Sequence, residues 1–478
     1  MRSPQLAFPQ VLKVFQVSLS GVLSPLTATL WPTNAYARDQ LPERVLQFGS
    51  GMLLRALCVA AVDSANRIGA GTRPGRIVVV QSTGEGAPRA HALNAQDGLF
   101  TLVERGLSGG EPLERAGLIG AISRALTADT QWDAVRDVAA RPEIRVIISN
   151  VSEAGFRIDA PFPGRLTDAL HARFTQSPEA PPVFVIPTEL VPDNGPRLKA
   201  MVLELAGGGS QAFQEWLKAR VRFCSSLVDR IVTMPADKPR ESLEATLGYR
   251  DALLTVTEPY ALWAIEADPA ELRAVLPIES ATVVFAPDIA FYRERKLRLL
   301  NAVHTATTPL ALLAGVRTVR EAIAHPLLGE FQKRLLFDEI IPATNIPGDQ
   351  ARAFAHQVLE RFANPWLEHE YRVIATNQEE KFRIRVLPLI LASFRTRAVA
   401  EPALPRTDKT SASALSLAAA AHLTFTQARL ESLGEAARIP EFAAATTTWM
   451  TVLKRDGVNA ALQTGVVPPL PKGEGVRG

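Results

Sequence analysis

The chain has 478 residues, 47% hydrophobic and 21% charged, with 52 basic against 49 acidic side chains and a net charge of +3. This is a globular composition, long enough for two or three domains. The balance of charge argues against a nucleic-acid surface or an anionic membrane as partner, while the small positive excess suits an anionic small molecule.

Residues 1–40 hold Arg2, a broadly apolar stretch and Ala35-Tyr36-Ala37, which resembles a signal-peptidase site. Lys13, Gln16, Pro25 and Pro32 interrupt the stretch. It therefore reads as a disordered extension or an early start rather than a leader. Folded structure is expected from Leu41. No other run is apolar and long enough to cross a bilayer. Cys58 and Cys224 show neither a disulfide framework nor zinc spacing. A reducing compartment, the cytoplasm, is expected, with both thiols as small core residues.

A short apolar strand at 45–48 runs straight into Gly49-Ser50-Gly51, and a helix rich in Leu, Ala and Val follows from Met52 to about Arg67. Strand, glycine turn and helix start open a dinucleotide-binding unit. The first glycine permits the tight turn, the second lets a pyrophosphate approach the backbone, and the helix N-terminus faces the phosphates. Position 54, where a third Gly or Ala is usual, is Leu. The next strand, 76–81, has the continuous Ile-Val-Val-Val of a buried parallel position and ends in Gln81. A glutamine can accept the ribose 2′-hydroxyl bond that an Asp or Glu usually takes, but it lacks the charge that excludes a 2′-phosphate. Arg89 is the nearest cation, read either as an NADP contact or as a solvated loop residue. NAD is the expected cofactor.

A weaker strand at 99–105 follows the turn Gln96-Asp97-Gly98. A helix at 132–140 leads to a strand at 145–149, which ends in Ser149-Asn150-Val151-Ser152-Glu153-Ala154-Gly155. Polar groups at the carboxyl end of a parallel strand point into the binding crevice. Asn150 and Ser152 read either as partners of the nicotinamide or its ribose, or as the cap of the next helix. Further strands are expected at 183–187, 228–233, 254–256 and 282–286. The alternation assigns residues 41–286 to a Rossmann-type, doubly wound α/β domain.

From Ile289 the pattern becomes helical, with helices expected at 289–304, 307–315, 328–337, 349–363, 366–376, 383–396, 411–421, 426–435 and 440–455. Residues 287–465 are expected to form a mostly α-helical domain, with an exposed loop at 400–410 and a disordered tail at 466–478. The first helix carries Lys296, Asn301 and His304. At about 100° per residue the three fall within an arc of roughly 140°. A lysine desolvated in a cleft can serve as a general base, Asn301 can donate to the oxygen being created, and His304 can fix a neighbouring hydroxyl. The alternative is an ordinary amphipathic helix with Lys296 in solvent. The rise of about 12 Å from Lys296 to His304 is comparable to an extended six-carbon chain. His91, His171, His325, His356, His369 and His422 are scattered and read as surface or core residues. No carboxylate–histidine spacing supports a metal site.

Several segments together resemble the polyol-specific long-chain dehydrogenase/reductase family, the mannitol dehydrogenase family. They are Val45-Leu46-Gln47-Phe48-Gly49-Ser50-Gly51, Leu54-Arg55-Ala56, residues 96–101, residues 149–155, residues 189–195, residues 228–231, Lys296 through His304 and residues 381–388. They run in order across residues 42–390, and Lys-x4-Asn-x2-His is the most specific of them. The branch that reduces tagaturonate is nearest. The resemblance implies Lys296 as general acid/base, Asn301 as oxyanion donor and His304 as a binder of substrate hydroxyls. It carries substrate contacts onto Glu189, Asn194, Asp229, Lys381 and Arg385. Arg385 is suited to gripping a carboxylate in two places. Cofactor contacts fall on Phe48, Gly49, Ser50, Gly51, Leu53, Arg55, Gln81, Asp97, Asn150, Ser152 and Glu153. Where polyol dehydrogenases carry Asn, this chain has Glu189, as the tagaturonate branch does, and Met52-Leu53 replaces the more usual Asn-Phe. The implied activity is NAD-dependent, reversible reduction of a hexuronate keto group, D-tagaturonate to D-altronate, by a monomer or small homo-oligomer. Fructuronate reduction, mannitol or arabinitol oxidation, and a non-catalytic NAD(H) sensor are the rivals.

Overall fold

The computed structural model describes residues 23–32, 35–68, 72–208, 210–400 and 413–466. The chain forms two units. The first runs to Arg105 and resumes over Leu113–Ile289; the second holds Gly106–Pro112 and continues from Ala290.

The strands of the chain are β1 (Glu43–Phe48), β2 (Arg76–Gln81), β3 (Phe100–Ser108), β4 (Glu111–Ile119), β5 (Ile122–Thr127), β6 (Val146–Ser149), β7 (Val183–Pro187), β8 (Val221–Phe223), β9 (Ser226–Asp229), β10 (Val232–Thr233), β11 (Thr255–Thr257), β12 (Leu262–Glu266) and β13 (Val283–Ala286). Six of them make a sheet in the order β5-β2-β1-β6-β7-β8, and every pairing in it is parallel. The order reverses beside β1, so a crevice opens at the carboxyl ends of β1 and β6, where an open α/β sheet takes its ligands. Alternate side chains explain why the central strands read as unbroken apolar runs. Val45, Ile77, Val79, Val146 and Ile148 join the core on one face. Leu46, Phe48, Val78, Val80 and Ile147 join the core on the other.

The segment expected at 99–105 does not enter this sheet. It is part of β3, in a second sheet ordered β10-β11-β3-β4, and a third sheet is ordered β13-β12-β9. Strands β4, β5, β8 and β12 were not expected. In β4, Glu111, Pro112, Glu114 and Arg115 mask the apolar alternation, and the strand exists because β3 pairs with it.

Residues 23–32 and 35–40 correct the expectation of a disordered extension. Leu26 is fully buried with Leu99, Leu118 and Tyr249, and its N–H donates to Arg250 O at 2.8 Å. The Tyr36 hydroxyl donates to Asp63 at 2.8 Å. The Trp31 ring lies 2.6 Å from where a Cβ on Gly120 would stand. These apolar groups are stable because they cover the first unit, which a linear reading of the segment could not reveal. Residues 1–22 and 33–34 lie outside the described residues, as do the expected tail over 467–478 and most of the expected loop at 400–410.

Over residues 290–400 and 413–466 the second unit is helical. Its first helix spans 290–313 without the break expected near 305, although Pro309 lies inside it. Residues 302–311 are all buried, as befits a helix surrounded by others. Pro309 has no N–H, so the Thr305 carbonyl loses its helical partner. Gln378 Nε2 donates to that carbonyl at 2.9 Å, which ties the helix Gln378–Arg385 to the central one. No helix among the described residues is long and apolar enough to cross a membrane.

Candidate active site

The glycine turn after β1 is shaped by two different constraints. Gly49 has φ +116, and a Cβ there would stand 2.9 Å from Asn150 O. Its N–H donates to Val80 O at 2.8 Å, so the turn is locked between β2 and β6. Gly51 has an ordinary backbone (φ −63), sits immediately before the helix at 52–68, and would place a Cβ in open space. A dinucleotide fits this arrangement. The bare backbone and the unpaired N–H groups of the first helical turn leave room for a pyrophosphate, and the helix dipole favours it. Ser50 Oγ contacts Gln81 Oε1 and accepts from Arg89 Nε at 3.1 Å. Gln81 also donates to Thr83 O and Oγ1, each at 3.2 Å. The exposed Arg89 therefore reaches the turn, while the Gln81 carboxamide is engaged by protein groups.

Several expected contacts are placed elsewhere. Asp97 is at the opposite end of the sheet. Its neighbour Gly98 lies against Ile122 O, and Ile122 pairs with Ile77, whereas Gln81 pairs with Thr127. The Asp97 carboxylate accepts from Ala28 N–H at 2.9 Å and so anchors the N-terminal segment. The Phe48 side chain is buried, edge-on to Phe162 at 5.5 Å. Arg55 is buried and braces the turn. It donates to Ser50 O at 2.6 Å and Thr255 Oγ1 at 3.1 Å, and burial pushes its guanidinium down to about 10. Asn194 is also structural. Its Nδ2 donates to the carbonyls of Pro187, Glu189 and Ser226, and its Oδ1 accepts from Ser226 N–H. Ser152 caps the short turn Glu153–Gly155, accepting from Gly155 N–H at 3.2 Å, and Glu153 is exposed. Asn150 Nδ2 bridges to Thr188 O at 3.1 Å. Leu53 is half-buried at the start of the helix. Asp229 is buried at the end of β9.

Glu189 follows β7 and is 3% exposed. Its carboxylate accepts from Val151 N–H at 2.9 Å and Ser149 Oγ at 3.2 Å, which joins the carboxyl ends of β6 and β7. Burial outweighs these bonds and lifts the carboxyl to about 7.

In the second unit, Lys296–Asn301 is a π-helical turn. Ala302 N–H bonds Leu297 O, five residues back. The wider turn lowers the rotation per residue, so Lys296 and Asn301 lie closer to one line than the roughly 140° of a regular α-helix would allow. Both are half-buried. His304 is 7% exposed, its ring 4.3 Å from that of Phe362 and 5.1 Å from that of His369. Burial first, and then His369, Arg361 and Arg385, hold it well below the usual histidine range. It is neutral at physiological pH, and its buried Nδ1 has no protein hydrogen-bond partner.

Lys381 and Arg385 lie four residues apart on one face of a helix. Arg385 Nη1 donates to Thr305 Oγ1 at 3.2 Å, and Lys381 Nζ donates to Ile374 O at 3.0 Å. Burial and then Arg385 lower the Lys381 ammonium. The structure thus brings His304 and Arg385 to the same turn of the central helix. It also adds His369 and Arg361, which carried no signal in the sequence: His369 is far along the chain from His304, and only packing joins them. No cluster of three or more His, Cys, Asp or Glu suited to a metal occurs among the described residues.

Two family models match the chain, the mannitol dehydrogenase Rossmann domain over residues 43–276 and the mannitol dehydrogenase C-terminal domain over residues 288–404. An altronate oxidoreductase of Halalkalibacterium halodurans is 40% identical over 371 residues, 74% of this chain and 71% of its own. Its counterpart from Bacillus subtilis is 37% identical, over 73% of this chain and 75% of its own. Among solved structures, the Pseudomonas fluorescens mannitol 2-dehydrogenase ternary complex with NAD and D-mannitol is 25% identical with a TM-score of 0.66, covering 90% of this chain and 96% of that one. A substrate-free D-sorbitol dehydrogenase, 21% identical, has a TM-score of 0.79 and covers 92% of this chain and 100% of that one, a likeness of fold.

Proposed function

Because the chain belongs to the mannitol dehydrogenase family of nicotinamide-dependent oxidoreductases, we propose that it reversibly reduces the keto group of a hexuronate, D-tagaturonate to D-altronate, with NADH. The observation that carries this reading is the pair of cations, Lys381 and Arg385, held beside the helix of Lys296, Asn301 and His304. Such a pair can grip the carboxylate of a sugar acid. The altronate oxidoreductases at 37–40% identity support the same substrate class.

The glycine turn at Gly49, Ser50 and Gly51 and the following helix N-terminus would hold the cofactor, with Gln81 and Arg89 toward its ribose. When bound, the nicotinamide supplies the hydride for the ketone carbon. Asn301 donates a hydrogen bond to the oxygen on which negative charge grows, and protonated Lys296 stabilises that charge and delivers the proton. In the oxidising direction neutral Lys296 takes the hydroxyl proton. Neutral His304, whose buried Nδ1 has no protein hydrogen-bond partner, would engage a substrate hydroxyl. Lys381 and Arg385 hold the carboxylate. Glu189, with its carboxyl at about 7, can donate to or accept from a substrate hydroxyl near neutrality, and Asp229 is the second acidic contact that the family pattern suggests. Both cysteines are buried free thiols, which supports a reducing compartment, the cytoplasm.

The test is NADH oxidation with tagaturonate, fructuronate and fructose in parallel, repeated with NADPH. Selective turnover of tagaturonate with NADH is expected. Turnover of fructose alone would move the enzyme to the polyol dehydrogenases, and a preference for NADPH would overturn the cofactor assignment.

A further inference from the structure

Thr305 lies one turn beyond Asn301 in the central helix and is fully buried. Its hydroxyl donates its single proton to the Asn301 carbonyl at 2.9 Å. A threonine inside a helix commonly bonds back one turn in this way, and the equally buried Thr308 does the same to His304 O at 2.7 Å. Thr305 differs in what else it holds. Its hydroxyl oxygen accepts from Arg385 Nη1 at 3.2 Å, and its carbonyl, deprived of a helical donor by Pro309, accepts from Gln378 Nε2 at 2.9 Å. A hydroxyl has one proton, here given to Asn301 O, so it can meet Arg385 only as an acceptor. A directed path therefore runs from the Arg385 guanidinium through Thr305 to the backbone of Asn301. Arg298 secures the same helix at its other end. It sits in the π turn of Lys296–Asn301, and its Nη1 donates to the carbonyls of Ile384 and Arg385 at 2.9 and 3.1 Å. Side chain and backbone of Arg385 are thus both held by the helix that carries Lys296, Asn301 and His304. The side chain is held through Nη1, which leaves the Nε–Nη2 edge, a fork that matches a carboxylate, to a ligand.

Resting on the reading of a hexuronate substrate, we propose that Thr305 is a positioning residue: by tying Arg385 to the turn of Asn301, it sets the distance between the carboxylate grip and the oxyanion donor. In a sugar acid the carboxylate and the ketone are a fixed number of bonds apart. A grip that shifts relative to the donor therefore presents the wrong carbon for hydride transfer, and small misplacements of this kind are costly to the rate. Thr305 acts through Arg385 and Asn301, not by touching the substrate.

The experiment measures kcat/KM for D-tagaturonate with NADH in the full-length protein and its variants. Thr305→Val keeps the branched shape and removes the hydroxyl; a loss of at least about ten-fold is expected. Thr305→Ala repeats the test with a smaller side chain. Thr305→Ser restores the hydroxyl and should stay within about three-fold of wild type. Thr308→Val removes the equivalent back-bond without a contact to Arg385 and should also stay within about three-fold. Added to Arg385→Met, Thr305→Val should cost less than about two-fold more, because the two side chains act as one unit. No loss in Thr305→Val, an equal loss in Thr308→Val, no recovery in Thr305→Ser, or full addition of the two losses would each overturn the proposal; a general packing defect would produce the second and the fourth. If the wild-type protein turns over neither hexuronate, the proposed reaction fails, and the same variants are compared by calorimetric affinity for D-altronate. Binding weakened by Thr305→Val and not by Thr308→Val would then uphold the tether, and any other result, absence of binding included, would remove it as well.

Discussion

At the scale of single residues, the site depends on side chains whose environments set their protonation. Replacing Lys296 by Ala should lower turnover by roughly 10²–10⁴, the usual contribution of general acid–base catalysis, while NADH binding followed by fluorescence stays near the wild-type value. Turnover within a few-fold of wild type would take Lys296 out of the mechanism. Glu189 makes a thermodynamic prediction. Burial raises its carboxyl from 4.5 to about 7. Between those pH values the folded chain keeps a proton that the unfolded chain releases, so stability falls as pH rises through this window and levels off above it. The full difference is up to about 3 kcal/mol. Glu189→Gln should flatten this part of the profile in urea titrations between about pH 5 and about pH 8; an unchanged slope would show that Glu189 titrates normally.

At the scale of elements, two glycines two residues apart should respond in opposite ways. Gly49→Ala forces a side chain into a left-handed backbone and against Asn150 O, a cost of about 1–3 kcal/mol, visible as a lower melting temperature. Gly51→Val has an ordinary φ and open space. It should fold normally and raise the KM for NADH by about ten-fold or more, because its side chain takes the room a pyrophosphate needs. A normal cofactor KM in Gly51→Val would place the dinucleotide elsewhere. The π turns at Arg55–Val59 and Lys296–Asn301 follow the same logic of local form serving a site. Each adds a residue to a helix that carries a proposed site segment, and such turns are frequent at functional sites.

At the scale of the whole molecule, the N-terminal segment belongs to the folded core. Leu26→Ala should cost about 3 kcal/mol, within the range for truncating a buried leucine, and a chain beginning at Leu41 should melt well below the full-length protein in calorimetry. Equal melting temperatures would return residues 23–40 to the role of a dispensable extension. Much of this protein could be read in one dimension. The runs of β1, β2, β6 and β7, the glycine turn, the shift to helices after Ile289 and the spacing of Lys296, Asn301 and His304 all follow from periodicity and backbone chemistry, which act over a few residues. Strands β4 and β12, the burial of Leu26, the removal of Asp97 to the far end of the sheet and the meeting of His304 with His369 did not, because each depends on which distant segment supplies the other half of a contact. The local chain decided which chemistry was available; the tertiary structure decided which of those groups share a site, since desolvation and like-charge proximity arise only when remote elements pack together.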